Sequence, residues 1–186
     1  MIEPLIVTVL PVLFLILLFG GGALLRRRGI DVDGTPPIDR RPYYFSKYSI
    51  LLVWAAMVIH TWGIDLSLVK IPSAIRWLSL GLWVSGFILL LVGRLGLGDS
   101  FRIGSAKEGT NLRVNGLFCL SRNPMYVGMF ATLIASGLYC ANPILLVLAV
   151  LIIAVHHAIV RAEERHLRDV FGQDYEAYCQ RVRRYV

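Results

Sequence analysis

From Ile2 to Leu25 the chain is almost unbroken apolar sequence, and three further apolar stretches follow it, with basic residues between them. At about 1.5 Å of rise per residue, about 20 apolar residues carry a helix across a hydrocarbon core of about 30 Å. Pro4 and Pro11 are tolerated in such a helix, because membrane helices re-satisfy the backbone groups that proline frees. Hydrophobic residues make up 56% of the 186 positions and charged residues 17%, too little polar sequence to clothe a soluble core of this size. The expectation is an all-α, multi-pass membrane protein of one domain with about five spans.

The first run has no basic segment before it and no small-residue cleavage site, and Arg26 to Arg28 follow it as a stop-transfer signal would. It is predicted to be retained as helix one. A polar linker with Gly34-Thr35-Pro36-Pro37 follows, then an aromatic group, Tyr43, Tyr44, Phe45 and Tyr48, of interfacial type. Helix two is predicted from about Ser49 to Asp65. Helix three starts at Pro72-Ser73 and extends to about Gly93, where Arg94 ends it. These helices form an N-terminal part, residues 1–94.

The remainder, 95–186, is predicted to hold a long loop, a helical hairpin and a tail. Leu95 to Ser121 turns polar and glycine-rich, which marks a functional loop outside the hydrocarbon. Pro124 to Val160 is too long for one span, and Cys140-Ala141-Asn142-Pro143 breaks it with an N-cap residue before proline. An amphipathic, charged helix should form the tail.

A net charge of +7 and a pI of 9.7 would suggest nucleic acid in a soluble protein. Here the basic residues flank apolar runs, which instead reads as topology and anionic headgroups. They collect in the first linker, the long loop and the tail, placing these in the cytoplasm and the N-terminus outside. Cys119, Cys140 and Cys179 lack C-x-x-C spacing, so neither a disulfide framework nor a metal site is indicated.

A hairpin returns to the surface it left. The corner Ser121-Arg122-Asn123-Pro124-Met125-Tyr126 should therefore meet the acidic step Glu163-Glu164. Glu163 shares a helical face with Leu167 and Val170 and should point inward, whereas Glu164 is spaced to pair with Arg168 on a solvated surface. His156 and His157 precede the acidic step, and only one of two adjacent side chains can face a common pocket. His60 with Asp65 reads as structural.

These residues carry a resemblance. Leu97-Gly98-Asp99-Ser100-Phe101, Leu112, Gly116-Leu117-Phe118, the corner through Tyr126, Glu163-Glu164, Leu167, Phe171-Gly172 and Tyr175 resemble the isoprenylcysteine carboxyl methyltransferase and phospholipid methyltransferase superfamily over roughly residues 95–182. Asn123 stands where many relatives have His, and Phe118 where Tyr is frequent.

The resemblance implies a membrane enzyme using S-adenosyl-L-methionine. Thr110, Asn111, Leu112, Arg113 and Phe118 would contact this cofactor from the loop, and Arg122, Asn123, Pro124, Met125 and Tyr126 from the corner. Glu163 and Glu164 would do so from the acidic step. Arg122 can equally contact a headgroup. In the family a basic residue just before the acidic pair meets the substrate, and Arg161 is the nearest here; His157, an ionisable group near the end of the last span, joins it as a candidate catalytic group. The substrate would be a lipophilic molecule drawn from the membrane lipids: an isoprenylcysteine-type carboxylate first, a phospholipid amine or small thiol otherwise.

Two other classes compete. A transporter subunit or scaffold should show polar residues lining its spans, and these spans show few beyond the histidines. A reductase-like nicotinamide enzyme would lack support from any G-x-G-x-x-G segment.

Overall fold

The computed structural model describes residues 2–27, 36–98 and 112–186. Five α-helices are present among them: α1 (Ile2–Arg27), α2 (Arg40–Thr61), α3 (Ser73–Leu97), α4 (Pro124–Tyr139) and α5 (Pro143–Arg181), with one 3-10 turn, Gly116–Cys119, before α4. No strand occurs among the described residues. α1, α3 and α5 are long and apolar enough to cross a membrane. α4 is apolar but has only 16 residues, and α2 opens with Arg40, Arg41 and Lys47, so length and composition carry three of the five expected spans.

α2 starts well before Ser49. Its buried residues, Tyr43, Ser46, Ile50, Val53, Trp54 and Met57, recur at intervals of three and four, so the stripe that packs on the bundle reaches back into the aromatic group. The apolar run ends at Ser49, but the periodicity does not. α3 likewise continues past Gly93 to Leu97, because Gly93 serves packing rather than termination. A Cβ there would lie 2.6 Å from Met125 Cγ on α4.

That close approach recurs along the α3–α4 seam. A Cβ on Gly86 would come within 2.7 Å of the Gly128 carbonyl oxygen, and one on Gly128 within 2.5 Å of the Gly86 oxygen. Small residues let membrane helices approach closely where lipid offers no hydrophobic drive toward association. Beside the seam, Trp54 packs on Phe87 with ring centroids 4.8 Å apart, and its indole N–H donates to Thr132 Oγ1 at 3.0 Å, joining α2 to α4.

The hairpin tip forms as expected. The Asn142 side chain accepts from the backbone N–H groups of Ile144 and Leu145, capping α5, and its Nδ2 donates to the Leu66 carbonyl at 2.8 Å. His60 Nδ1 accepts from Leu66 N in the same turn.

The expected tail helix is present, and its first part continues the membrane segment of α5 without a break. Charge beginning at Arg161 ends the apolar run, but no residue from Arg161 to Phe171 breaks a helix, and α5 runs on to Gly172, whose φ of +51° interrupts it. The unbroken stretch from Pro143 to Phe171 amounts to about 44 Å, beyond a hydrocarbon core. The acidic step therefore rides on the same rigid rod as the membrane segment.

Gly128→Ala is expected to wedge α3 from α4 and cost about 1–3 kcal/mol, read as a lower thermal unfolding midpoint in detergent. Gly20→Ala, where an added Cβ meets nothing within 4 Å, is expected to leave that midpoint unchanged.

Candidate functional site

Where α4 begins and α5 leaves the apolar layer, the corner and the acidic step meet. Arg122 donates through Nε and Nη2 to Glu164 Oε1 at 3.1 and 3.0 Å, and through Nη1 to the carbonyls of Val182 and Cys179 at 2.7 and 3.3 Å. Asn123 Nδ2 donates to the same Glu164 oxygen at 3.2 Å and to the Arg184 carbonyl at 3.1 Å. Arg184 Nε donates to Glu164 Oε2 at 2.8 Å. Glu164 is only 3% exposed, and two guanidinium groups and an amide satisfy it. Burial works against the Arg122 charge, but the hydrogen bonds and charge of Glu164 outweigh it and hold its pKa above the ordinary value.

The segment after α5 closes this arrangement. Arg122 N donates to the Arg183 carbonyl at 2.9 Å, Ser121 Oγ to the Arg184 carbonyl at 3.2 Å, and Tyr178 hydroxyl to the Phe118 carbonyl at 2.6 Å. The 3-10 turn, the corner and the last residues thus form one hydrogen-bonded body around Glu164. The surface pairing expected between Glu164 and Arg168 does not occur; Arg168 faces Glu176 at 3.9 Å.

Glu163 points elsewhere. One residue along a helix turns the side chain by about 100°, and its carboxylate accepts from the Tyr126 hydroxyl at 3.0 and 3.1 Å. Both residues line a cavity of about 540 Å³. The expected inward face is present, with Leu167 and Phe171 beside Glu163 in the lining, while Val170 is exposed. From the loop and corner, Leu112, Arg113, Phe118, Arg122, Asn123, Pro124 and Met125 complete this end of the cavity.

Thr110 and Asn111, and the Asp99 to Phe101 part of the motif, lie outside the described residues. Glu164 does not line the cavity but supports the wall that does. Arg161 is exposed and His157 lies outside the lining, its Nδ1 2.9 Å from the Tyr185 hydroxyl. His156 is the histidine in the lining, its ring centroid 6.0 Å from that of Tyr126. Its Nδ1 lies 2.9 Å from the Ile152 carbonyl, which can only accept, so Nδ1 carries the proton and Nε2 keeps its lone pair when the ring is neutral. The signal for this choice was present: His156 is seven residues before Glu163, close to two full turns, whereas His157 is six.

The other half of the cavity comes from elements that motif reasoning left aside. Phe14, Leu15, Leu18 and Phe19 of α1 and Tyr43, Tyr44, Lys47 and Tyr48 of α2 line it. Phe19, Tyr44 and Tyr48 are also exposed, so part of the α1–α2 wall reaches the surface of the molecule. Among the described residues no cluster of three or more His, Cys, Asp or Glu could hold a metal ion.

Fold and site together define a helical membrane protein with an apolar cavity whose polar end is built by a loop, a helix start and a helical carboxylate. The phospholipid methyltransferase family matches residues 74–174, from the start of α3 past Glu163 and Glu164, and the chain belongs to that family. A solved structure of the eukaryotic intramembrane Ras methyltransferase, an isoprenylcysteine carboxyl methyltransferase, shares the fold with a TM-score of 0.54 and 22% identity over 78% of this chain. The chain spans 52% of that protein's length. No curated protein matches the chain.

Glu164→Ala is expected to strand the two arginines around a buried site and cost about 3–5 kcal/mol, measured by thermal unfolding. Arg165→Ala, at an exposed neighbouring position, is expected to stay within about 0.5 kcal/mol of the parent.

Proposed function

We propose that this protein transfers a methyl group from S-adenosyl-L-methionine to a lipophilic acceptor that reaches the cavity from the bilayer, in first place an isoprenylcysteine-type carboxylate. The observation that carries the reading is the Glu163 carboxylate, oriented by Tyr126 in the wall of an otherwise largely apolar cavity of about 540 Å³. That volume falls in the range of roughly 300–1,000 Å³ usual for small-molecule sites. Membership of a phospholipid methyltransferase family supports methyl transfer to a lipid-related molecule, and the fold shared with an isoprenylcysteine carboxyl methyltransferase favours a carboxylate among such acceptors.

The residues present fit the cofactor. When bound, it supplies a methyl group on a positively charged sulfur, and an acceptor lone pair displaces the sulfur as a neutral thioether. Glu163 has the lone pairs to receive hydrogen bonds from a ribose or an amino group, and the Tyr126 hydroxyl keeps its carboxylate in one orientation. Phe118 offers an aromatic face suited to a cation. The apolar walls from α1 and α2 exclude water and align a lipid tail, which is most of what an in-line transfer asks of a protein. The charge pattern of the linkers supports a cytoplasmic position for this end of the molecule.

Purified protein is expected to bind S-adenosylmethionine saturably in calorimetric titration, and Glu163→Ala to weaken that binding by about 10- to 100-fold. Overlapping wild-type and variant titrations would count against the reading.

The acceptor class has its own test in His156. A carboxylate is already ionised, whereas an amine or thiol must lose a proton, and His156 is the histidine in the cavity wall able to take it. For a carboxylate acceptor, His156→Gln is expected to change the methyl-transfer rate by only a few-fold. A loss of about 100-fold or more, the size of a missing general base, would assign an amine or thiol instead.

A further inference from the structure

Lys47 is a cation in a largely apolar wall with no carboxylate among the described residues in direct ion-pair contact. It is half-buried on α2, lines the cavity among Ile50, Leu51 and Trp54, and lies two turns inside the helix. Its ammonium donates to the Tyr43 hydroxyl at 2.6 Å and lies 4.1 Å from the centre of the Tyr43 ring. Among the described residues no carboxylate lies within ion-pair distance of it. Glu163 is near enough for its charge to act on Lys47, but its carboxylate takes the Tyr126 hydroxyl and makes no direct contact with the ammonium.

The other cations in the wall are otherwise engaged. Arg122 is taken up by Glu164 and two backbone carbonyls, and Arg113 has partners of its own. An ammonium removed from water costs several kcal/mol unless a counter-charge and hydrogen-bond acceptors replace it. Lys47 has three N–H donors, and the Tyr43 hydroxyl uses one. Lys47 and Tyr43 on α2 and Glu163 on α5 line the same cavity, and Lys47 lies within electrostatic reach of Glu163 without touching it.

We propose that Lys47, backed by Tyr43, is an anion-binding site for the methyl acceptor, which is an amphiphile carrying a carboxylate or a phosphate. The proposal rests on the methyltransferase reading for its role, but not for its existence. The tail of such a molecule lies along the α1–α2 wall and its charge pairs directly with the Lys47 ammonium, which no carboxylate among the described residues contacts. A neutral amphiphile of the same length leaves the ammonium uncompensated.

Protein in phosphatidylcholine nanodiscs, titrated calorimetrically with dodecanoate, dodecyl phosphate and dodecan-1-ol against empty discs, tests this. Wild-type protein is expected to bind at least one anion about tenfold or more tighter than the alcohol, a difference of about 1.4 kcal/mol. Lys47→Met is expected to bring anion and alcohol to parity, and Lys47→Arg to keep the preference. Preference for dodecanoate alone assigns a carboxylate acceptor, and preference for dodecyl phosphate alone a phosphate-bearing lipid. Equal wild-type affinities for all three, or an anion preference that survives in Lys47→Met, overturns the site. Because S-adenosylmethionine is absent from these titrations, a wild-type protein that discriminates the anions but fails to bind the cofactor would sink the enzyme reading and leave the anion site standing.

Discussion

A carboxylate buried where two membrane helices meet has to be neutralised locally, and the rest of this site is arranged around the neutralisation of Glu164. Its two oxygens receive Arg122, Asn123 and Arg184, from three separate stretches of chain. Arg122 also binds the carbonyls of Cys179 and Val182, so the same charge pair ties the start of α4 to the end of α5 and the residues after it. Withdrawal of either charge leaves the other buried, which makes the pair all-or-none in effect. The corner is held as one geometry rather than as a flexible loop.

That fixed corner is what allows the neighbouring carboxylate to serve another purpose. Glu163 and Glu164 differ by a single helical step, and the step of about 100° sends one into the cavity and the other into the supporting wall. Tyr126, the third residue of α4, meets Glu163 because Arg122 and Asn123 have fixed the helix start against α5. The helical rod past Val160 matters equally, since a hinge between the membrane segment and the acidic step would uncouple the two.

Much of this was legible in the sequence, for identifiable reasons. Apolar runs and the Asn142-Pro143 cap gave the helices and the hairpin, because hydrocarbon leaves the backbone few alternatives. The meeting of the corner with the acidic step followed from hairpin geometry. What misled was the use of polarity as a stop signal: α2 begins at Arg40 and α5 passes Arg161, since charge ends a hydrophobic run without ending a helix. Glu164 was assigned to solvent by its spacing to Arg168, because pairings across the fold with Arg122 and Arg184 leave no trace in local spacing. His156 was recoverable from its seven-residue distance to Glu163. The α1 and α2 walls, with Lys47, lay beyond the motifs and required the packing itself.

Arg122 and Glu164 act as one unit across the hairpin. A double-mutant cycle on thermal stability with Arg122→Gln, Glu164→Gln and the double variant measures it directly. A coupling of about 1.5 kcal/mol or more is expected, in the upper part of the range for directly paired residues. Single effects that add to within about 0.5 kcal/mol, as for distant and independent sites, would contradict it.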